Sequence, residues 1–126
     1  MLAYPNLALI SESFNTPETE TTDGSFDLVV DSERISIAVN GIAFFEIRGR
    51  TEDFVVFVAS GDSRVEAENL LAENVNINHR GTNDVFVNPQ QRISGVIRGT
   101  GDVISVTRPP EIEVEEIFNG RLRFRD

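Results

Sequence analysis

Arg80-Gly81-Thr82-Asn83-Asp84-Val85 recurs eighteen residues later as Arg98-Gly99-Thr100-Gly101-Asp102-Val103, and a fainter copy stands at Ala59-Ser60-Gly61-Asp62. The slot that differs between the two strong copies holds Asn83 in one and Gly101 in the other. Asn and Gly share tolerance of the left-handed backbone region. The repeat therefore encodes a corner of the chain rather than a reactive group, and positive φ is expected at both positions.

Extending the alignment gives corner residues Gly24, Gly41, Gly61, Asn83, Gly101 and Gly120, spaced 17, 20, 22, 18 and 19 residues apart. The second residue after each corner is Phe26, Ala43, Ser63, Val85, Val103 and Leu122, and the fourth is Leu28, Phe45, Val65, Val87, Ser105 and Phe124. Both columns are apolar or small. Between them lies Asp27, Phe44, Arg64, Phe86, Ile104 and Arg123, which alternation turns outward. A second apolar strand follows in each period, as Ile35-Ile37-Val39, Phe54-Val56-Val58, Val75-Ile77, Ile93-Gly95-Ile97 and Ile112-Val114. Alternation stacked at a fixed long period predicts an all-β chain folded as a parallel β-solenoid of about 17–22 residues per turn. An antiparallel sandwich offers no reason for a corner residue to return after every second strand. Arg64 to Glu73 is the best helical candidate, yet Val65, Ala67 and Leu70 fit alternation about as well.

The N-terminal stretch reads differently. Leu7, Leu9 and Phe14 mark a strand, and Asn15 to Gly24 is a polar, acidic loop with Pro17. The expected division is residues 1–24, a cap or truncated rung, and residues 25–126, the solenoid.

Composition limits the function classes. With 40% hydrophobic and 25% charged residues the chain can bury a core, so disorder is not expected. Cysteine is absent, which excludes disulfides, thiolate metal sites and a cysteine nucleophile. Twenty-one acidic residues against eleven Arg and no Lys give a net charge of −10, so a nucleic-acid backbone is repelled. No apolar run is long enough to insert in a membrane, and no signal peptide precedes the strand region.

Three stretches carry a family likeness. Arg80-Gly81-Thr82-Asn83-Asp84-Val85-Phe86-Val87-Asn88-Pro89, Ile93-Ser94-Gly95-Val96-Ile97-Arg98-Gly99-Thr100-Gly101-Asp102-Val103 and Arg108-Pro109-Pro110-Glu111-Ile112 resemble the auto-transporter adhesin head GIN domain family, bacterial proteins of unknown function. The likeness runs from about Ser25 to the C-terminus and is best after Ser60. It implies a right-handed parallel β-helix, usually carried by exported or lipid-anchored proteins of the cell envelope.

Residues that could carry chemistry are few. Asp62, Asp84 and Asp102 fall in one corner column, where stacked acids could hold Ca²⁺ or supply the paired carboxylates of a polysaccharide-cleaving β-helix. The plainer reading is that each accepts hydrogen bonds from its own turn. His79, the only histidine, lacks a metal partner and reads as a surface residue. Glu116 falls where the previous rung has Ile97, and alternation alone leaves it unexplained. No nucleophile elbow or phosphate loop is present, so no catalytic, cofactor or metal site is expected.

The outward column supplies a candidate interaction face: Phe44, Arg64, Phe86, Ile104 and Arg123, with Arg64 stacking on Phe44 or Phe86. The expected function is a non-catalytic module of the cell envelope or surface, contacting a protein or glycan or a second copy of itself. The alternative is a carbohydrate-active β-helix that uses the Asp column. A polymerising β-helix is a third class, opposed by the net charge and by the Arg-rich strand Arg121 to Arg125.

Overall fold

The computed structural model of the protein describes residues 6–12, 25–41 and 44–125. Every described element is a strand: β1 (Asn6–Glu12), β2 (Ser25–Gly41), β3 (Phe44–Gly61), β4 (Arg64–His79), β5 (Val85–Val87), β6 (Pro89–Ile97), β7 (Val103–Ser105), β8 (Glu111–Glu116) and β9 (Leu122–Phe124). All pairings among them are parallel. One ladder joins the first halves of β2, β3 and β4 to β5, β7 and β9; a second joins β1 and the second halves of those strands to β6 and β8. The chain is a parallel β-solenoid.

Proline explains why the later rungs are broken where the earlier ones run on. Pro89 opens β6 one residue after Asn88, and Pro109-Pro110 precede β8. A residue without an N–H cannot sit inside a ladder that is bonded on both sides. Asn88 ties the break together: its amide donates to the Glu68 carbonyl at 3.0 Å, and its side-chain oxygen accepts from Gln90 and from the Thr107 hydroxyl.

The second ladder follows the expected columns. Ile35, Phe54, Val75, Ile93 and Ile112 stack in register; so do Ile37, Val56, Ile77, Gly95 and Val114. Ile35, Phe54, Val75 and Ile93 are all buried, as are Val65, Val85 and Val103 of the first ladder. Each such side chain stabilises the fold by about 1.5–3 kcal/mol through burial. Stacking like on like removes each rung's apolar face from water only when a neighbour is present, which makes the repeats mutually dependent.

The first ladder corrects the sequence alignment. Phe26, Phe45, Val65, Val85, Val103 and Leu122 share a column, so the expected alignment is right at Phe26 and from Val85 onward, and slipped by two residues in the second and third copies, where Phe45 and Val65 take the places expected for Ala43 and Ser63. Gly41 pairs with Gly61, and the step of twenty from Val65 to Val85 carries Gly61 to the level of Gly81, not Asn83. A slip of two leaves every side chain on its own face, so alternation cannot detect it. Gly24, Ala43, Phe14 and the loop from Asn15 to Gly24 lie outside the described residues, apart from which β1 stacks on β2 with Leu7 beside Ile35. Residues 6–12 thus continue the same ladder. Arg64 to Glu73 is strand.

The corner expectation fails in a second respect. Neither Asn83 nor Gly101 has positive φ; that conformation occurs inside strands, at Gly49 (φ 124°) and Gly95 (φ 129°). A Cβ on Gly95 would lie 1.8 Å from the Ile77 carbonyl oxygen, so both space and backbone demand glycine there.

Candidate functional site

The corner acids are taken up by the rung that follows. Asp84 accepts the backbone N–H of Asp102 at 3.2 Å, and Asp102 accepts that of Arg121 at 2.9 Å. The second oxygen of Asp102 pairs with the Arg123 guanidinium at 2.7 Å. Each acid thus caps a donor on the next turn, where the sequence reading placed the donor on the acid's own turn. Asp102 meets Arg121 through the Arg121 backbone, while its ion-pair partner is Arg123. Partial burial pushes Asp102 up, but the hydrogen bonds of Arg123 and Arg121 and both positive charges hold it below the usual carboxylate range.

Asp62 stands apart from this column. It accepts the Thr82 hydroxyl at 3.0 Å, two residues from the level of Asp84, because the register slip applies to it as well. Asp62, Asp84 and Asp102 are therefore not a single stack. Among the described residues, no three His, Cys, Asp or Glu side chains are grouped so as to hold a metal ion.

His79 is buried, contrary to its reading as a surface residue: its exposure is 0%. The column Val58–His79–Ile97 faces the core, and His79 occupies the inward slot two residues after Ile77. Its Nδ1 accepts the Gly81 N–H at 3.4 Å, so Nε2 carries the proton and donates to the Asn83 carbonyl at 2.7 Å. Burial pushes the ring below its ordinary value, against the Asn83 bond and the charges of Asp84 and Asp102, which raise it. A polar side chain here closes the corner with its own hydrogen bonds.

Glu116 continues that inward column beyond Ile97, as the sequence register implied. Its carboxylate accepts the backbone N–H of Leu122 at 2.7 Å, which joins β8 to β9 across the last described turn.

The outward apolar stripe is partly roofed. Phe86, Ile104 and Arg123 share a column, whereas Phe44 and Arg64 pair with each other two residues lower. Arg64 still reaches Phe86: its guanidinium carbon lies 4.7 Å from the ring centre, and that of Arg125 lies at 5.9 Å. Phe86 is only 7% exposed beneath them. Arg64 is fixed by Glu66 at 2.7 Å. Arg108 stacks on Phe124 in the same manner.

The second ladder carries a feature the sequence reading did not isolate. Just before each inward column comes an outward one, Arg34, Asp53, Asn74, Arg92 and Glu111, and two residues on runs Ser36, Val55, Asn76, Ser94 and Glu113. A concavity of about 560 Å³ runs along these columns, lined by Arg34, Asp53, Asn74 and Arg92 of the first and by Val55, Asn76 and Ser94 of the second. Phe54 and Val75 are buried, so they give backbone to its floor. Asn74 donates to Asp53 at 3.1 Å, Asn76 to the Ser94 hydroxyl at 3.1 Å, and Arg92 to Glu113 at 2.8 Å. The signal was present in the sequence as the polar residue that precedes Ile35, Phe54, Val75 and Ile93.

No helix among the described residues is long and apolar enough to cross a membrane, which leaves strand-based crossing unaddressed. Neither a curated protein nor a solved structure matches the chain. A family profile described as "Putative auto-transporter adhesin, head GIN domain" matches residues 1–109. The match takes in β1 and stops short of β8, where the sequence likeness had been placed from Ser25 to the C-terminus. It covers well over half of the chain, including every corner of the repeated motif except Gly120, and the chain therefore belongs to the auto-transporter adhesin head GIN domain family.

Proposed function

We propose that the protein is a non-catalytic interaction module of the bacterial cell surface or envelope, which offers a rigid outward face to a protein or glycan. The family name, an adhesin, points to a surface location and to contact as the activity. The observation that carries the non-catalytic part is the employment of the corner acids. Asp84 and Asp102 hold backbone donors of the following rung, and Asp102 also holds Arg123. A general acid or nucleophile must be able to approach a substrate atom; both oxygens of Asp102 are given to the scaffold, and Asp84 gives it one. The stacked ladders supply what an adhesive surface needs, side chains fixed at regular intervals with little entropy left to lose on binding.

Fluorescent beads coated with the full chain test the reading on intact bacterial and host cells, alongside a reducing-end assay on soluble polysaccharides. Saturable retention without release of reducing ends is expected. Retention on no cell surface, or release of reducing ends that disappears in Asp84→Asn, overturns it.

A further inference from the structure

The concavity beside Arg34 and Arg92 has the makings of a ligand site distinct from both the corner acids and the Phe86 stripe. We propose that it binds an extended, uncharged glycan chain lying along the solenoid axis. The inference deepens the surface-module reading and rests on it.

The argument begins with spacing. Arg34, Asp53, Asn74 and Arg92 are successive rungs of one column, so their backbones repeat at about 4.8 Å, the interval between paired strands. That interval suits a chain whose polar groups recur once per sugar. Chemistry narrows the class. A sugar hydroxyl both donates and accepts, and the trough offers guanidinium and amide donors next to carboxylate and amide acceptors. Among the described contacts, Asp53 uses one carboxylate oxygen, on Asn74, and its second oxygen has no described partner. Arg34 is exposed and makes no hydrogen bond or ion pair with a described residue. Asn76 and Ser94 are tied to each other on the far wall, which holds that wall in place.

Other occupants fit less well. A peptide adding itself as a strand needs a free sheet edge, and β3 and β4 beneath the trough are paired on both sides. A helix-binding groove needs an apolar lining, and these outward columns bring a single apolar side chain, Val55, to the trough. A polyanion finds Arg34 and Arg92 in the trough but meets Asp53 between them, Glu111 and Glu113 already paired with Arg92, and a net charge of −10.

Affinity electrophoresis of the full chain through gels containing neutral polysaccharides (a β-glucan, a mannan, a xylan) tests the proposal, with alginate and a sulfated glycan as comparators. At least one neutral polysaccharide is expected to retard the chain. Ser94→Phe, which fills the trough, and Arg34→Ala, at an exposed position, should each raise the dissociation constant tenfold or more while the melting temperature holds. Because Arg34→Ala removes no buried contact, it keeps the test valid if Ser94→Phe fails to fold. Three results overturn the proposal: no retardation by any neutral polysaccharide, retardation that both variants preserve, or binding to the anionic glycans alone. Cell retention that persists in both variants would sink this site and leave the surface-module reading standing.

Discussion

The Cβ that Gly101 lacks would lie 2.0 Å from the carbonyl oxygen of Asn83 on the preceding rung and 2.7 Å from Nε2 of His79. Glycine is therefore required at this corner by the closeness of the rung it stacks on, not by a left-handed backbone. The two causes make different predictions for substitution. If φ were the reason, Gly101→Asn would be tolerated, since Asn enters the left-handed region readily. Contact begins at the first side-chain atom, so Gly101→Ala and Gly101→Asn should both fail, each losing about 1–3 kcal/mol. Urea denaturation of the two variants checks this, and a fully stable Asn variant would restore the φ explanation.

His79 gives the fold a pH dependence that can be assigned without ambiguity, because the chain has no other histidine. The folded protein holds the ring neutral, with its proton affinity below the ordinary value of about 6.5. The unfolded chain therefore binds a proton more readily than the folded one as pH falls. Stability from this group is complete above the unfolded value and is lost as pH drops through about 6.5 towards the folded value. Protonation also converts Nδ1 from an acceptor into a donor and removes the Gly81 hydrogen bond. The urea midpoint should decline between about pH 7 and pH 5, and His79→Gln should flatten that decline. Asp102 contributes a second, lower phase: its folded value is depressed, so its stability is present above about 3.8 and fails as pH falls further. Asp102→Asn should remove the lower phase and, because the Asp102 charge raises the His79 ring, extend the upper decline to lower pH.

For the corner acids, the part played by charge and the part played by hydrogen bonding can be separated. An amide oxygen at position 84 can still accept the Asp102 N–H, so Asp84→Asn should cost less than about 1 kcal/mol. Asp84→Ala leaves that donor without its partner and should cost about 1–3 kcal/mol. Calcium should not discriminate between them: calorimetry is expected to show no saturable Ca²⁺ uptake, and chelation should leave the melting temperature of the wild-type chain unchanged. A chelation-sensitive melting temperature that Asp84→Asn abolishes would reinstate a metal site.

These results show which features of a stacked fold can be read from one sequence. Two inward columns of the second ladder were legible from β2 onward, because Ile35, Phe54, Val75, Ile93 and Ile112 are large and recur without interruption. The first ladder was legible in parity but not in register. Gly41 and Gly61 stand four residues before Phe45 and Val65, whereas Asn83 stands two before Val85, and the irregularity between Glu46 and Arg48 adds a residue that no local pattern announces. His79 was misplaced because its polarity outweighed its position, although Val58 and Ile97 define the inward slot that it fills. The trough escaped notice for a different reason. Outward residues of a strand are polar as a rule, so Arg34, Asp53, Asn74 and Arg92 form a feature only once the rungs are laid side by side.

Phe86 provides the last test, since the same residue serves as core in one account and as contact face in another. Alternation turns it outward, and on an open face its replacement would weaken association while leaving the fold alone. Its ring instead lies under the guanidinium groups of Arg64 and Arg125, with 7% of its surface exposed. Losing that burial in Phe86→Ser should cost about 3 kcal/mol or more. Arg125→Ala should cost far less, about 0.5–1 kcal/mol, the worth of a cation–π contact near solvent. The double substitution Phe86→Ser with Ile104→Ser should accordingly melt several degrees lower without changing the oligomeric state. Thermal melts beside sedimentation velocity decide between the accounts. If the double variant keeps its melting temperature and a self-associated species disappears, the stripe is an interface and the guanidinium roof opens on binding.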